Sequence, residues 1–293
     1  MSRTSCARRA LRPLPVLAVG TALLTSACGG TAATSASSDS DLPAAVAQSG
    51  TLRVGMSPDF PPMEYLDEKT HDVVGVDVQL AKALGKQLGV KVEIVQQSFD
   101  QLLNSVQTGR VDIVMSGLSD TVERQKTVDF VDYFGSQGRF YTLQAKAAKY
   151  TKPGNVCGKT LAVSKKTDYY EQAVDYNKQY CTGAGKSAIK LLPTDSGSAA
   201  RLQLEQGRAD IAVQGGENLA YFEKQDPAKY EPVLAPLEST PFGIVIKKGD
   251  SKMSGAILKA MKALVKDGTY TKILAGGGMK YAVIRPVLNG STG

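Results

Sequence analysis

The chain has 293 residues, a formal net charge of +7, one histidine, four cysteines and no tryptophan. Arg3, Arg8, Arg9 and Arg12 fall in the first 27 residues with no acid beside them, so the remainder carries about +3, an ordinary value. That balance, with no basic patch, RNA-binding aromatic motif or zinc-ligand spacing, argues against a nucleic-acid partner and gives no reason to expect a metal or cofactor.

From the N-terminus, the four arginines lead into an apolar run at 14–24 that is too short to cross a bilayer as a stable helix. Residues 1–27 read as a secretory signal peptide. "LTSAC" at 24–28 resembles the lipobox of bacterial lipoproteins, with Thr25 its less usual residue. That resemblance implies that Cys28 is lipidated and becomes the mature N-terminus; cleavage with an unmodified Cys28 is the alternative. Residues 28–49 are rich in Gly, Ala, Ser and Thr and read as a flexible tether. About 20 such residues reach roughly 25 Å. No later apolar stretch is long enough to span a bilayer. Cys6 leaves with the signal, and Cys157 and Cys181 remain in an exported body. They are expected to pair as a disulfide, whose loop contributes about 3 kcal/mol.

In the body, Leu52, Val54 and Met56 alternate as a strand does. Val76, Leu80, Leu84 and Leu88 make a helical stripe, and Gly89 stops it. Val90, Val92 and Ile94 predict a second strand, and Phe99, Leu102, Leu103 and Val106 a second helix face. Strand alternating with helix implies parallel strands flanked by helices. The pattern then repeats: "TLRVGMSPDF" (51–60) is echoed by "TLAVSKKTDY" (160–169), and "GRVDIVMSG" (109–117) by "GRADIAVQG" (207–215). The body is therefore expected to form two α/β lobes. Ligands of open α/β sheets bind beyond the carboxyl ends of the strands. Those ends are "SPDF" (57–60), "SGLSD" (116–120), "KKTDYY" (165–170) and "QGGEN" (214–218), two from each lobe. "SGLSDTVERQKTVDF" (116–130) on its own fits a capped surface helix with Arg124 in water. Its place at a strand end favours an anion cradle of free N–H groups and the Arg124 guanidinium.

"MSPDFPPMEYLDE", "VGVDVQLAKALGKQLG", "SGLSDTVERQKTVDF", "GRADIAVQ" and "DGTYTKIL", in that order, resemble the extracytoplasmic solute-binding proteins of ABC importers, polar amino-acid class. The resemblance covers nearly all of residues 50–284. It implies a type II, periplasmic-binding-protein-like α/β fold, each lobe a mostly parallel sheet flanked by helices. Lobe one would comprise 50–137 and 243–284, lobe two 142–236, and a C-terminal tail 285–293. Two hinge crossings would lie near 134–140 and 237–243.

The same resemblance implies that Arg124 grips a ligand α-carboxylate bidentately, with hydrogen bonds from Ser116, Gly117 and Ser119 and from Thr167 of the second lobe. Phe60 and Phe99 would sandwich the ligand side chain, although Phe99 also fits core packing. Gly215 stands where such proteins usually carry an aspartate for the α-ammonium group. Glu217, Asp168, Asp59 and Glu64 are the acids that could replace it, unless the ligand lacks that group. Lys166, where glycine is frequent, would crowd the cleft or add a second anion contact.

The function implied is a monomeric, lipid-anchored binding component, not an enzyme. It would close its lobes on an amino acid or related small carboxylate and pass it to a membrane permease and ATPase. A ligand-presenting sensory protein and a carboxylate-based enzyme of the same fold are the alternatives. The one histidine, His71, lies in the "DEKTHD" turn and offers no Ser-His or Cys-His pairing.

Overall fold

The computed structural model describes residues 41–292, so the expected signal peptide, Cys28 and most of the expected tether lie outside the described residues. The last residues of the stretch expected to be a tether are ordered otherwise. Helix α1 (Ala44–Ser49) forms, and Leu42 and Val46 are buried in the main core because both apolar side chains gain by leaving water.

Strand β1 (Thr51–Met56) buries Leu52, Val54 and Met56, as their alternation implied. Strands β2 (Asp59–Phe60), β3 (Glu64–Leu66) and β4 (Val73–Val74) form a small antiparallel sheet. Helix α2 (Val76–Leu88) buries Val76, Leu80 and Leu84. Gly89 ends it at φ 71°, a left-handed conformation that a side chain would strain. Strand β5 (Lys91–Gln96) follows, and then helix α3 (Leu102–Gln107), led in by a 3-10 turn at Phe99–Gln101. Strand β6 (Ile113–Val114) and β5 both pair parallel to β1.

After a single turn of helix, α4 (Val122–Gln125), comes β7 (Val128–Leu143), a strand of 16 residues. The second lobe repeats the first with β8 (Thr160–Ser164), α5 (Asp168–Tyr180), β9 (Lys190–Thr194), α6 (Gly197–Glu205) and β10 (Ile211–Gly215). Helix α7 (Gly216–Gln225) and β11 (Tyr230–Val233) complete it. Strand β12 (Ser239–Lys247) then returns to the first lobe, where α8 (Ser251–Lys266) and α9 (Thr269–Gly276) pack. Among the described residues the large sheet runs β5-β1-β6-β12-β7-β10-β8-β9, with β11 on β7. Its wings are parallel, and the antiparallel pair β7 and β12 joins them, with a register shift between Phe242 and Gly243.

The sequence echo has a structural cause. The Asp112 carboxylate accepts the Arg53 N–H at 2.7 Å, while its own N–H donates to the Arg53 carbonyl at 2.9 Å. Asp210 does the same with Thr160, at 3.0 and 2.9 Å. Gly109 and Gly207, at φ 74° and 70°, turn the chain out of α3 and α6. Gly-Arg-x-Asp is thus one docking device used twice, fixing the central strand pair of each lobe. Cys157 and Cys181, 24 residues apart, form the expected disulfide.

Candidate functional site

The four strand-end loops meet in one cleft of about 570 Å³, open solvent at its mouth included. Phe60, Phe99, Ser116, Gly117, Ser119 and Arg124 line it from one lobe, and Thr167 and Asp168 from the other. Asp59, Tyr169, Asp195, Ser196, Gln214 and Phe242 also line it, and of these only Asp59 was singled out from the sequence. Tyr169 and Gln214 lie inside the strand-end loops already identified, so position alone could have found them. Phe242 comes from the crossing strand β12, where nothing in the sequence signals a cleft residue.

Arg124 is aimed by its local structure. Thr121 caps α4, its hydroxyl accepting the Arg124 N–H at 3.2 Å. The guanidinium donates from Nη1 to the Ser119 carbonyl at 2.7 Å and from Nη2 to the Lys166 carbonyl at 2.8 Å. Among the described residues Arg124 makes no ion pair, and the other N–H groups of its five-donor fork have no partner there. Burial lowers its pKa, opposed by the nearby charges of Asp168 and Asp120. It stays cationic.

The lobes touch across the cleft. The Ser119 hydroxyl donates to Asp168 Oδ1 at 2.7 Å, the Ser198 hydroxyl to the Asp59 carbonyl at 3.1 Å, and Asn218 Nδ2 to the Pro61 carbonyl at 2.5 Å. Asp168 Oδ2 also accepts from Gln172 at 3.0 Å. Phe60 and Phe242 meet edge to face at 6.0 Å, and Phe242 stacks on Phe134 at 5.5 Å. Gly117, at φ 49°, permits this wall, since a Cβ there would lie 2.5 Å from Phe60 Cε1.

Several expected contacts are corrected. Ser116 and Gly117 line the cleft, but the Ser116 hydroxyl donates to Glu64 Oε1 at 2.6 Å and the Gly117 N–H to Asp77 Oδ2 at 3.0 Å, so those two donors are spent behind its wall. Glu64 therefore lies beneath the loop and does not line the cleft. Burial, reinforced by Asp77, pushes its carboxyl well above the ordinary value, and burial raises Asp77 to about 6. Tyr133 donates to Asp77 at 2.8 Å. Lys166 supplies a carbonyl to Arg124, while its side chain is exposed and off the cleft wall.

Glu217 is buried behind Tyr169. Its carboxylate accepts from the Ser136 hydroxyl at 3.2 and 3.3 Å, and Ser136 also meets the Tyr169 hydroxyl at 2.9 Å. Burial raises Glu217 to about 7. Gly215 does not reach the cleft either: a Cβ on it would fall 1.7 Å from Glu217 Oε1. The glycine makes room for that carboxylate. Of the four acids considered, Asp59 and Asp168 face the cleft, and burial raises Asp59 above its ordinary value.

Two α/β lobes, two crossing strands and an interlobe cleft lined by a guanidinium with no ion pair among the described residues define a ligand-binding protein of the two-lobed type. The bacterial extracellular solute-binding proteins of family 3 match residues 52–276, and the chain belongs to that family. It is 29% identical over 84% of its length to the arginine-binding protein ArgT of Corynebacterium glutamicum, 80% of which is covered. Among solved structures, an ancestral arginine-binding protein bound to arginine is 34% identical, with a TM-score of 0.70 over 78% of this chain and 97% of that one. The ancestral amino acid-binding protein AncCDT-1, a precursor of cyclohexadienyl dehydratase, is 31% identical, with a TM-score of 0.71 over 79% and 97%.

Proposed function

We propose that the protein is the extracytoplasmic binding component of an ABC importer for an amino acid with a cationic side chain. In this reading residues 1–27 direct export, lipidated Cys28 holds the protein at the membrane, and the closed form delivers its ligand to a permease and ATPase. The observation that carries the reading is Arg124, whose unpaired donors face a cleft closed by hydrogen bonds from both lobes. A planar fork matches a carboxylate, and closure removes the water that would weaken the pair. The ligand bridges the lobes and so favours the closed form.

Charge supports the side-chain class. The cleft holds Asp59, Asp168 and Asp195 against Arg124, and Lys165 pairs with Asp195 at 2.6 Å. Adding a ligand carboxylate leaves two negative charges to be met, which an α-ammonium and one side-chain cation supply. The relatives named for arginine agree with this class. Glu64 and Glu217, whose carboxyls burial raises, sit behind the cleft walls, which suits binding better than proton transfer to a ligand.

Calorimetry with L-arginine, L-lysine and the decarboxylated amine of arginine tests this. The two amino acids are expected to bind and the amine to fail. Arg124→Ala should lose about 3 kcal/mol or more, at least a hundredfold. Equal affinity of wild type and variant would overturn the carboxylate role.

A further inference from the structure

The family match ends at residue 276, but the chain goes on to cross the first lobe again. Residues 128–134 of β7 have β12 on one side, and β10 pairs only further along, with 138–141. The open side is taken by the C-terminal residues. Leu288 bridges antiparallel to Val131, the Asp132 N–H donates to the Val287 carbonyl at 2.9 Å, and the Asn289 N–H donates to the Phe130 carbonyl at 2.9 Å. Asn289 Oδ1 accepts the Phe130 N–H at 2.7 Å.

The segment then reaches the turn that carries Arg124. The Ser291 hydroxyl donates to the Asp120 carbonyl at 2.7 Å, and its N–H to Asp120 Oδ2 at 3.2 Å. Gln125 Nε2 donates both to the Ser291 carbonyl at 2.9 Å and to Asp120 Oδ1 at 2.8 Å. Asp120 follows Ser119, whose carbonyl holds the guanidinium, and Gln125 follows Arg124. Both flanks of the cradle are therefore tied to one C-terminal serine. Gly290 makes the crossing possible, since a Cβ on it would lie 2.3 Å from Asp132 Oδ2 and 2.6 Å from Val287 Cγ2.

We propose that residues 287–291 are a positioning strap that holds the 119–125 turn, and with it Arg124, in its ligand-binding geometry. The proposal rests on the carboxylate role of Arg124. The strap touches no ligand and acts through Asp120 and Gln125. Fixing the turn before binding spares the ligand the cost of ordering it, so the strap acts on affinity as well as on stability.

The test measures L-arginine affinity by calorimetry, well below the unfolding temperature, for the mature protein, Ser291→Ala, Ser291→Thr and a chain ending at Pro286. Circular dichroism and thermal unfolding follow the fold in parallel. Ser291→Ala is expected to bind about tenfold more weakly, Ser291→Thr to recover most of that loss, and the shortened chain to lose 30-fold or more. A shortened or Ser291→Ala protein that unfolds earlier yet binds with wild-type affinity would reduce the segment to a structural support and overturn the proposal. If the shortened chain does not fold, the Ser291 pair decides. Arg124→Ala separates the two levels. Wild-type affinity in that variant, or no binding by the wild type, removes the carboxylate reading and the strap with it. Loss in Arg124→Ala but none in the strap variants removes the strap alone.

Discussion

Gly215 and Glu217 show how one atom decides a residue. The glycine ends β10 with φ −62°, a value any residue adopts, so backbone freedom does not require it. Space does: the Glu217 carboxylate fills the volume a side chain would need. Gly215→Ala is therefore expected to destabilise the fold by about 1–3 kcal/mol through overpacking. Pairing it with Glu217→Ala should restore much of the loss, and a double-mutant cycle by denaturant unfolding measures the coupling. Additive effects would mean that the two side chains do not compete for one space. At this scale the sequence shows most of the residues that gather at the cleft, because Phe60, Ser119, Thr167 and Asp168 sit in strand-end loops and Arg124 follows one, while Phe99, on a helix face, was reached only through the family resemblance. It does not show which way a carboxyl points. Glu64 and Asp168 are equally plausible on paper, yet one supports Ser116 from below and the other meets Ser119 across the cleft.

At the scale of elements, the repeated Gly-Arg-x-Asp strand was legible because it answers to local demands: a left-handed turn after a helix, then a carboxylate docking on a neighbouring strand's N–H. The disulfide is a different kind of tie. It links the 3-10 turn at Pro153–Val156 to the end of α5, with Cys181 fully buried, and neither cysteine lines the cleft. Replacing both cysteines by serine is expected to cost roughly 3 kcal/mol of stability, the value for closing a loop of this size. Ligand affinity should stay within twofold. Denaturant titration beside calorimetry checks both, and a large affinity loss would show that the bridge reaches the cleft.

Across the whole molecule, buried acids collect where the lobes meet or are braced. Glu217 lies against Ser136 of the crossing strand β7, Asp77 beneath the 116–117 loop, and Asp132 against the C-terminal segment. Burial raises Glu217 and Asp132 to about 7, the latter helped by Asp120, and Asp77 to about 6. An acid with a raised folded pKa keeps its proton where the unfolded chain has given it up. From the ordinary carboxyl range near 4 up to about 7 the folded state binds more protons, so stability falls as pH rises through that window and levels off above it. Chemical unfolding between pH 5 and 8 should show this decline, and Glu217→Gln should flatten it. A slope unchanged in Glu217→Gln would exclude that residue as its source.

The sequence by itself determined the first strands and helices of the body, the twofold repeat and the four loops that form the cleft, because periodicity, glycine turns and strand ends are local physical requirements. Tertiary structure alone decided which donors face the cleft and which are spent on buried acids, that Phe242 of a crossing strand joins the aromatic wall, and that Ser291 reaches Asp120 from 171 residues away. Those outcomes depend on the direction of side chains and on contacts between distant segments. No local pattern encodes either.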